Sequence, residues 1–189
     1  MTRTPIDLTA ATTSELMDIF RTLDAPAVEA MDGDFRATLL QQPSVTATLG
    51  GSVAVKNPAL PWLSKGFRPI DSGSGRGYNS FNQFGSVVQR YPMLTQTAPS
   101  RYDGKPTFCL IYRAYHSLCA TINMVDEVRQ YAPGIYLGIG TMGFTTKARE
   151  LPRPFMLEGP TADYLGDIGV PRTDFSPGRR ELPGSFATR

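Results

Sequence analysis

The run Asn123-Met124-Val125-Asp126-Glu127-Val128-Arg129-Gln130-Tyr131-Ala132-Pro133-Gly134-Ile135-Tyr136-Leu137-Gly138-Ile139-Gly140-Thr141-Met142 decides the fold of this chain. Two stretches rich in β-branched and aromatic residues flank the tight-turn tripeptide Ala132-Pro133-Gly134, which predicts an antiparallel hairpin. Side chains alternate across a strand. Asn123, Val125, Glu127 and Arg129 therefore share one face, and Met124, Asp126, Val128 and Gln130 share the other. Each face sets a carboxylate among apolar neighbours. A register shift of one residue exchanges the two faces, so Asp126 and Glu127 both stand as candidates.

Strand signals continue on either side of this hairpin. Period-two alternation over 31–39, a stretch at 62–68, and further stretches at 78–84, 86–97, 106–114, 118–131 and 135–144 read as strands, with a last short one at 155–157. Asp103-Gly104 carries a hairpin turn, and Asp71 to Gly77 a flexible one. Before the strands, Thr12 and Glu15 form a capping box. Leu16, Ile19, Phe20 and Leu23 follow at helical spacing, so one amphipathic helix covers about 13–23. Residues 41–61, with Gly50-Gly51, read as a long loop or a short helix. One helix followed by about eight short strands predicts a mainly β chain. The specific expectation is an antiparallel up-and-down, lipocalin-like barrel of about eight or more strands with one short N-terminal helix. Such a barrel has room for side chains or one small ligand.

A length of 189 residues suits one domain, here 1–170, with an Arg/Pro/Gly-rich tail at 171–189, and the chain from Gly159 on is expected to wrap the surface or be disordered. The apolar share is 41% and the charged share 19%, and the 18 glycines and 16 prolines favour turns and short elements. The net charge of +2 is unevenly placed. The tail holds Arg172, Arg179, Arg180 and Arg189 against Asp174 and Glu181, which leaves the body neutral. No basic stripe tracks a phosphate backbone, so nucleic acid is not an expected partner. No apolar run reaches the length of a membrane helix. The N-terminus lacks the apolar core of a signal peptide, and two cysteines make no secreted framework, so a reducing cytoplasmic setting is expected.

Gly138-Ile139-Gly140-Thr141-Met142-Gly143 spells G-x-G-x-x-G, but no helix-and-strand unit follows it before Pro152 and Pro154. The favoured reading is a strand whose glycines let it bend or let another group approach its backbone. His116 is the only histidine. It reads as a surface residue at a hairpin tip, and as an outside candidate for proton transfer. Cys109, His116 and Cys119 match no common zinc spacing, and they read instead as two small buried cysteines, near-opposed on one hairpin, beside a turn histidine. Glu127 and Arg129 read either as a structural pair or as acid–base and oxyanion groups.

Two stretches resemble a known family. Trp62-Leu63-Ser64-Lys65-Gly66-Phe67 is similar to the tryptophan-lysine strand of bacterial small-barrel domains with a Gly-X-Trp-X-Gly signature. Asp126 to Arg129, with Tyr136-Leu137-Gly138, resembles their later hairpin. Pro61 and Ser64 depart from the signature. The resemblance implies a lipocalin- or calycin-like barrel that takes apolar ligands, in a class where some relatives are cofactor-free cyclases, isomerases or decarboxylases.

These readings converge on a site for a small apolar or polyketide-like molecule. The first expectation is a cofactor-independent isomerase, cyclase or lyase, with Glu127 or Asp126 as base, Arg129 as oxyanion partner and His116 in reserve. Trp62, Arg90, Tyr112, Asn123, Tyr136 and Met142 are expected to line the site, with no metal, and a homodimer is considered. The alternatives are a carrier or sensor of an apolar ligand, and an interaction module that uses the tail.

Overall fold

Thr12 opens the first helix as its capping box predicts. Its hydroxyl accepts from the Glu15 N–H, and the Glu15 carboxylate accepts from the Thr12 N–H at 2.8 Å. Helix α1, Thr13–Thr22, then buries Leu16, Met17 and Phe20 against Leu137 and Ile139. The computed structural model describes residues 7–43 and 61–186, so most of the stretch read as a loop or short helix at 41–61 lies outside the described residues.

Eight strands follow: β1 Gly33–Leu39, β2 Trp62–Pro69, β3 Ser74–Gln83, β4 Ser86–Pro99, β5 Pro106–Ile111, β6 Val125–Ala132, β7 Ile135–Thr141 and β8 Arg153–Ala162. Each pairs antiparallel with the next. β8 returns to β1 through Ala37↔Leu157 and Leu39↔Phe155, which closes the barrel. Closure gives every strand a paired neighbour on both sides over part of its length. The expected up-and-down barrel with one N-terminal helix is the architecture found.

The interior is graded from end to end. Where β1 begins and the β6–β7 turn lies, four rings pack edge to face or tilted. Tyr136 and Phe35 stand 5.6 Å apart, Phe35 and Phe67 5.6 Å, and Phe67 and Phe108 5.5 Å. All four are buried and plug that end. At the other end, where β1 finishes and β2 starts, the same core continues into Trp62, Tyr112, Met124, Met142 and Phe155.

The connection from β5 to β6 departs from the sequence reading. The strand expected over 106–114 stops at Ile111 and turns into a 3-10 segment at Tyr112–Ala114. The strand expected from 118 begins at Val125, because Ser117 caps a short helix α2, Leu118–Thr121, by accepting from the Ala120 N–H. His116 therefore sits in a compact connector and not at a hairpin tip. Cys109 lies on β5 and Cys119 on α2, so they are not opposed. Both are free and buried. The strand expected at 135–144 keeps its register against β6 but ends at Thr141, and a further short helix α3, Thr146–Glu150, precedes β8.

Residues beyond β8 run over the outside of the barrel. Tyr164 stacks on Tyr78 at 4.9 Å, and Asp167 accepts from Arg68 and Arg76. Farther on, the Arg172 N–H donates to the Ala114 carbonyl, and Leu182 is buried against Ala98, Cys109 and Ile111.

Candidate functional site

The alternation along β6 sorts its charged residues. Asp126 turns into the barrel, and Glu127 and Arg129 turn out. Inside, Lys65 projects from β2 and meets Asp126 Oδ2 at 2.9 Å, with side chains 3% and 5% exposed. Lys65 Nζ also donates to Asn79 Oδ1 on β3 at 2.8 Å and to the Tyr112 hydroxyl at 2.6 Å. Tyr112 donates to Asp126 Oδ2 at 2.9 Å and accepts from Asn79 Nδ2 at 3.3 Å. These four side chains form a closed polar quartet in an apolar wall, and the three donors of the ammonium match three acceptors.

Aromatic faces enclose the ammonium. It lies 5.1 Å from the Trp62 ring, 5.4 Å from Tyr112 and 5.3 Å from Phe155, within cation–π range of each. Burial, reinforced by the Asp126 charge, pushes the Tyr112 phenol well above its ordinary value, so Tyr112 remains a proton donor.

The two inward glycines of β7 make space for this arrangement. A Cβ on Gly138 would stand 2.1 Å from the Phe155 ring, and one on Gly140 would stand 3.0 Å from Asp126 Oδ1. The G-x-G pattern is thus a pair of notches that admit a ring and a carboxylate. Among the described residues, the hydrogen bonds to Asp126 fall on Oδ2, and Oδ1 faces the Gly140 notch. Arg153 pairs with Gly140 across β7 and β8, and its Nε and Nη1 are buried without a hydrogen-bond partner. Burial holds the Arg153 guanidinium below its ordinary value.

The remaining candidates separate from this quartet. Glu127 accepts from Ser100 Oγ at 2.5 Å, from the Arg101 N–H at 3.0 Å and from Arg101 Nε at 3.1 Å, on the outer surface of the sheet. Arg129 is also outside. It donates twice to Asp103 at 2.7 Å and lies 4.5 Å from the Phe20 ring centre beneath α1. It stands across the sheet from Asp126, which removes the geometry expected of an oxyanion partner for that carboxylate. Tyr136 belongs to the aromatic plug at the far end. Arg90 is exposed and donates to Gln83. His116 is exposed on the outer connector. Asn123, with φ 55, donates to the Gly143 carbonyl and accepts from Arg180 at the rim. Trp62, Tyr112 and Met142 share the core cluster that contains the quartet's tyrosine.

Lys65 and Asn79 complete the quartet, and neither stands among the site residues expected from the sequence. Lys65 alternates with Phe67 on one strand, so a lysine sharing a face with a core phenylalanine was the available signal. Burial pushes the Cys119 thiol up to about 12, with Lys65 and Asp126 as its charged neighbours. Among the described residues, no group of three His, Cys, Asp or Glu side chains could hold a metal ion. Among them also, no helix is long and apolar enough to cross a membrane, a statement that does not bear on strands.

No family model and no curated protein matches the chain. Among solved structures it is similar to a protein from Thermomonospora curvata, at a TM-score of 0.52 and 15% identity, over 78% of this chain and 87% of that one. At that identity the likeness speaks for the barrel fold alone.

Proposed function

We propose that this barrel is a lipocalin-like cup that binds a small, largely apolar molecule at its Lys65–Asp126–Tyr112 end. There it carries out cofactor-free acid–base chemistry of the isomerase, cyclase or lyase type. The observation that carries this reading is the buried quartet of Lys65, Asp126, Tyr112 and Asn79, set among Trp62, Phe155, Met124 and Met142. Apolar pockets with a few convergent polar groups are the usual form of small-molecule sites.

In this reading Asp126 Oδ1 takes a proton from a carbon beside a substrate carbonyl. The C–H bonding pair becomes a C=C bond as the carbonyl π pair moves onto oxygen, and the resulting oxyanion is met by Lys65, which gives up its Asn79 contact. Tyr112 keeps Oδ2 oriented. Returning the proton to a different carbon completes an isomerisation; expelling a leaving group completes an elimination. The free, buried cysteines support a reducing, cytoplasmic setting.

A carrier is the second reading. It is favoured by the saturation of the Lys65 ammonium, whose three contacts make the quartet a self-contained structural unit. Titration with the neutral fluorophore N-phenyl-1-naphthylamine tests both readings. Saturable binding that is weakened by Trp62→Ala and Met142→Trp supports a ligand in the cup. No binding to the intact protein overturns enzyme and carrier together. Given binding, an Asp126→Asn variant that matches wild type in turnover of an apolar ketone panel leaves the carrier.

A further inference from the structure

The positive excess of this chain sits in its C-terminal stretch, and the fold brings two of those arginines, Arg172 and Arg180, to one concave place. Arg172 and Arg180 from that stretch meet Arg113, Tyr115, His116 and Ser117 of the β5–β6 connector around a groove of about 380 Å³. The arginines are fixed by neutral groups. The Arg172 N–H donates to the Ala114 carbonyl at 2.7 Å, and its guanidinium to the Arg113 carbonyl at 3.5 Å. Arg180 donates to the Asn123 amide oxygen at 3.2 Å. Among the described residues, only Arg113 of the three has a carboxylate partner, Glu181, which also accepts from the Gly178 N–H. Asp174 lines the neighbouring depression, and among the described residues no ion pair joins it to Arg172 or Arg180.

Two exposed guanidinium groups are thus held in position by oxygens that do not neutralise them, with a third behind. Guanidinium forks match oxyanions through paired N–H bonds. A carboxylate would occupy one fork, whereas a phosphate offers three terminal oxygens to groups arriving from different elements. A single concave cluster also differs from the extended basic track that a nucleic-acid backbone needs. We propose that this groove binds a small phosphate-bearing molecule, with Arg172 and Arg180 as its principal contacts. It lies outside the barrel and is independent of the chemistry assigned to the cup.

Isothermal titration of the full chain with inorganic pyrophosphate tests the site. The expected result is saturable one-to-one binding, weakened about tenfold or more by Arg172→Gln and by Arg180→Gln, the scale of one lost charge-assisted contact. Arg172→Lys, which keeps the charge but loses the fork, should fall between. Arg21→Gln on the exposed face of α1 should leave binding unchanged, and circular dichroism should show all four variants folded. Three results would each overturn the proposal: no saturable heat with the wild-type protein, equal weakening by Arg21→Gln, or tighter binding of a single-stranded DNA oligonucleotide than of pyrophosphate.

Discussion

Asp126 and Glu127 are neighbours in the chain, and both are buried in ion pairs, but the two pairs are built from different material. The outer pair is held by main chain. Glu127 accepts from the Arg101 N–H, and Arg101 in turn donates to the Arg149 carbonyl, which ties the β4–β5 loop and α3 to β6. Arg129 does the same for α1 and β5, by donating to the carbonyls of Phe20, Lys105 and Pro106. Among the described residues, the inner quartet consists of side chains holding one another, with a single long contact from Asn79 to the Tyr91 carbonyl. Charges clamped by backbone cannot turn without moving the chain. Charges clamped by side chains can exchange one partner for a substrate oxygen. Burial alone therefore does not mark a site.

That contrast can be broken most severely from outside. Arg129→Met strands Asp103 and three carbonyls, and should lower stability by about 3–5 kcal/mol in a urea melt. It should leave affinity of the folded protein for the fluorophore intact. Inside, Lys65→Met combined with Asp126→Leu removes both charges together. Replacing a buried pair with apolar residues is often neutral or stabilising by about 1–4 kcal/mol. The double variant should melt no lower than wild type and should lose any turnover. A large loss of stability would mean that the quartet is structural. A smaller effect is expected at Arg153. Arg153→Leu removes buried donors that lack partners, and should stabilise by about 1–3 kcal/mol. If it also weakens the fluorophore, the guanidinium serves the cup.

The smallest effect is a pH dependence of the outer pairs. Burial acts to raise the Asp103 carboxyl, but hydrogen bonds from Arg129 and the Lys105 N–H, with the Arg129 charge, outweigh it and hold it below 3.8. Asp167 is lowered chiefly by the Arg68 hydrogen bond. A carboxyl with a lowered folded pKa binds fewer protons than it does in the unfolded chain. Its contribution is full above the unfolded value and is lost as pH falls through the folded one. Thermal melts should therefore be level at neutral pH and decline below about pH 4. Asp167→Asn, whose side chain is 30% exposed, should remove less than about 1 kcal/mol of that decline.

The barrel was legible because its signals are local. The Thr12 capping box, the Asp103-Gly104 and Pro133-Gly134 turns and the alternation of β6 each act within a few residues. The connector between Tyr112 and Met124 was not legible as a connector. Its apolar spacing continues that of the flanking strands, and only Ser117 announces the helix. The site was half legible. Alternation named Asp126 and Glu127 as alternatives, but only sheet closure decides which faces inward. Lys65 and Asn79 were not expected in the site because polar residues within strands ordinarily face water. Their burial depends on Asp126, which lies 61 and 47 positions away in the chain.

Trp62 is the only tryptophan in the chain, and the Lys65 ammonium lies 5.1 Å from its ring. Indole emission, excited beyond the tyrosine absorption, therefore comes from one end of the barrel. Whatever displaces that ammonium, whether ligand or substitution, changes the field on the single indole. The molecule carries its own gauge of the quartet, readable without a label and before any substrate has been identified.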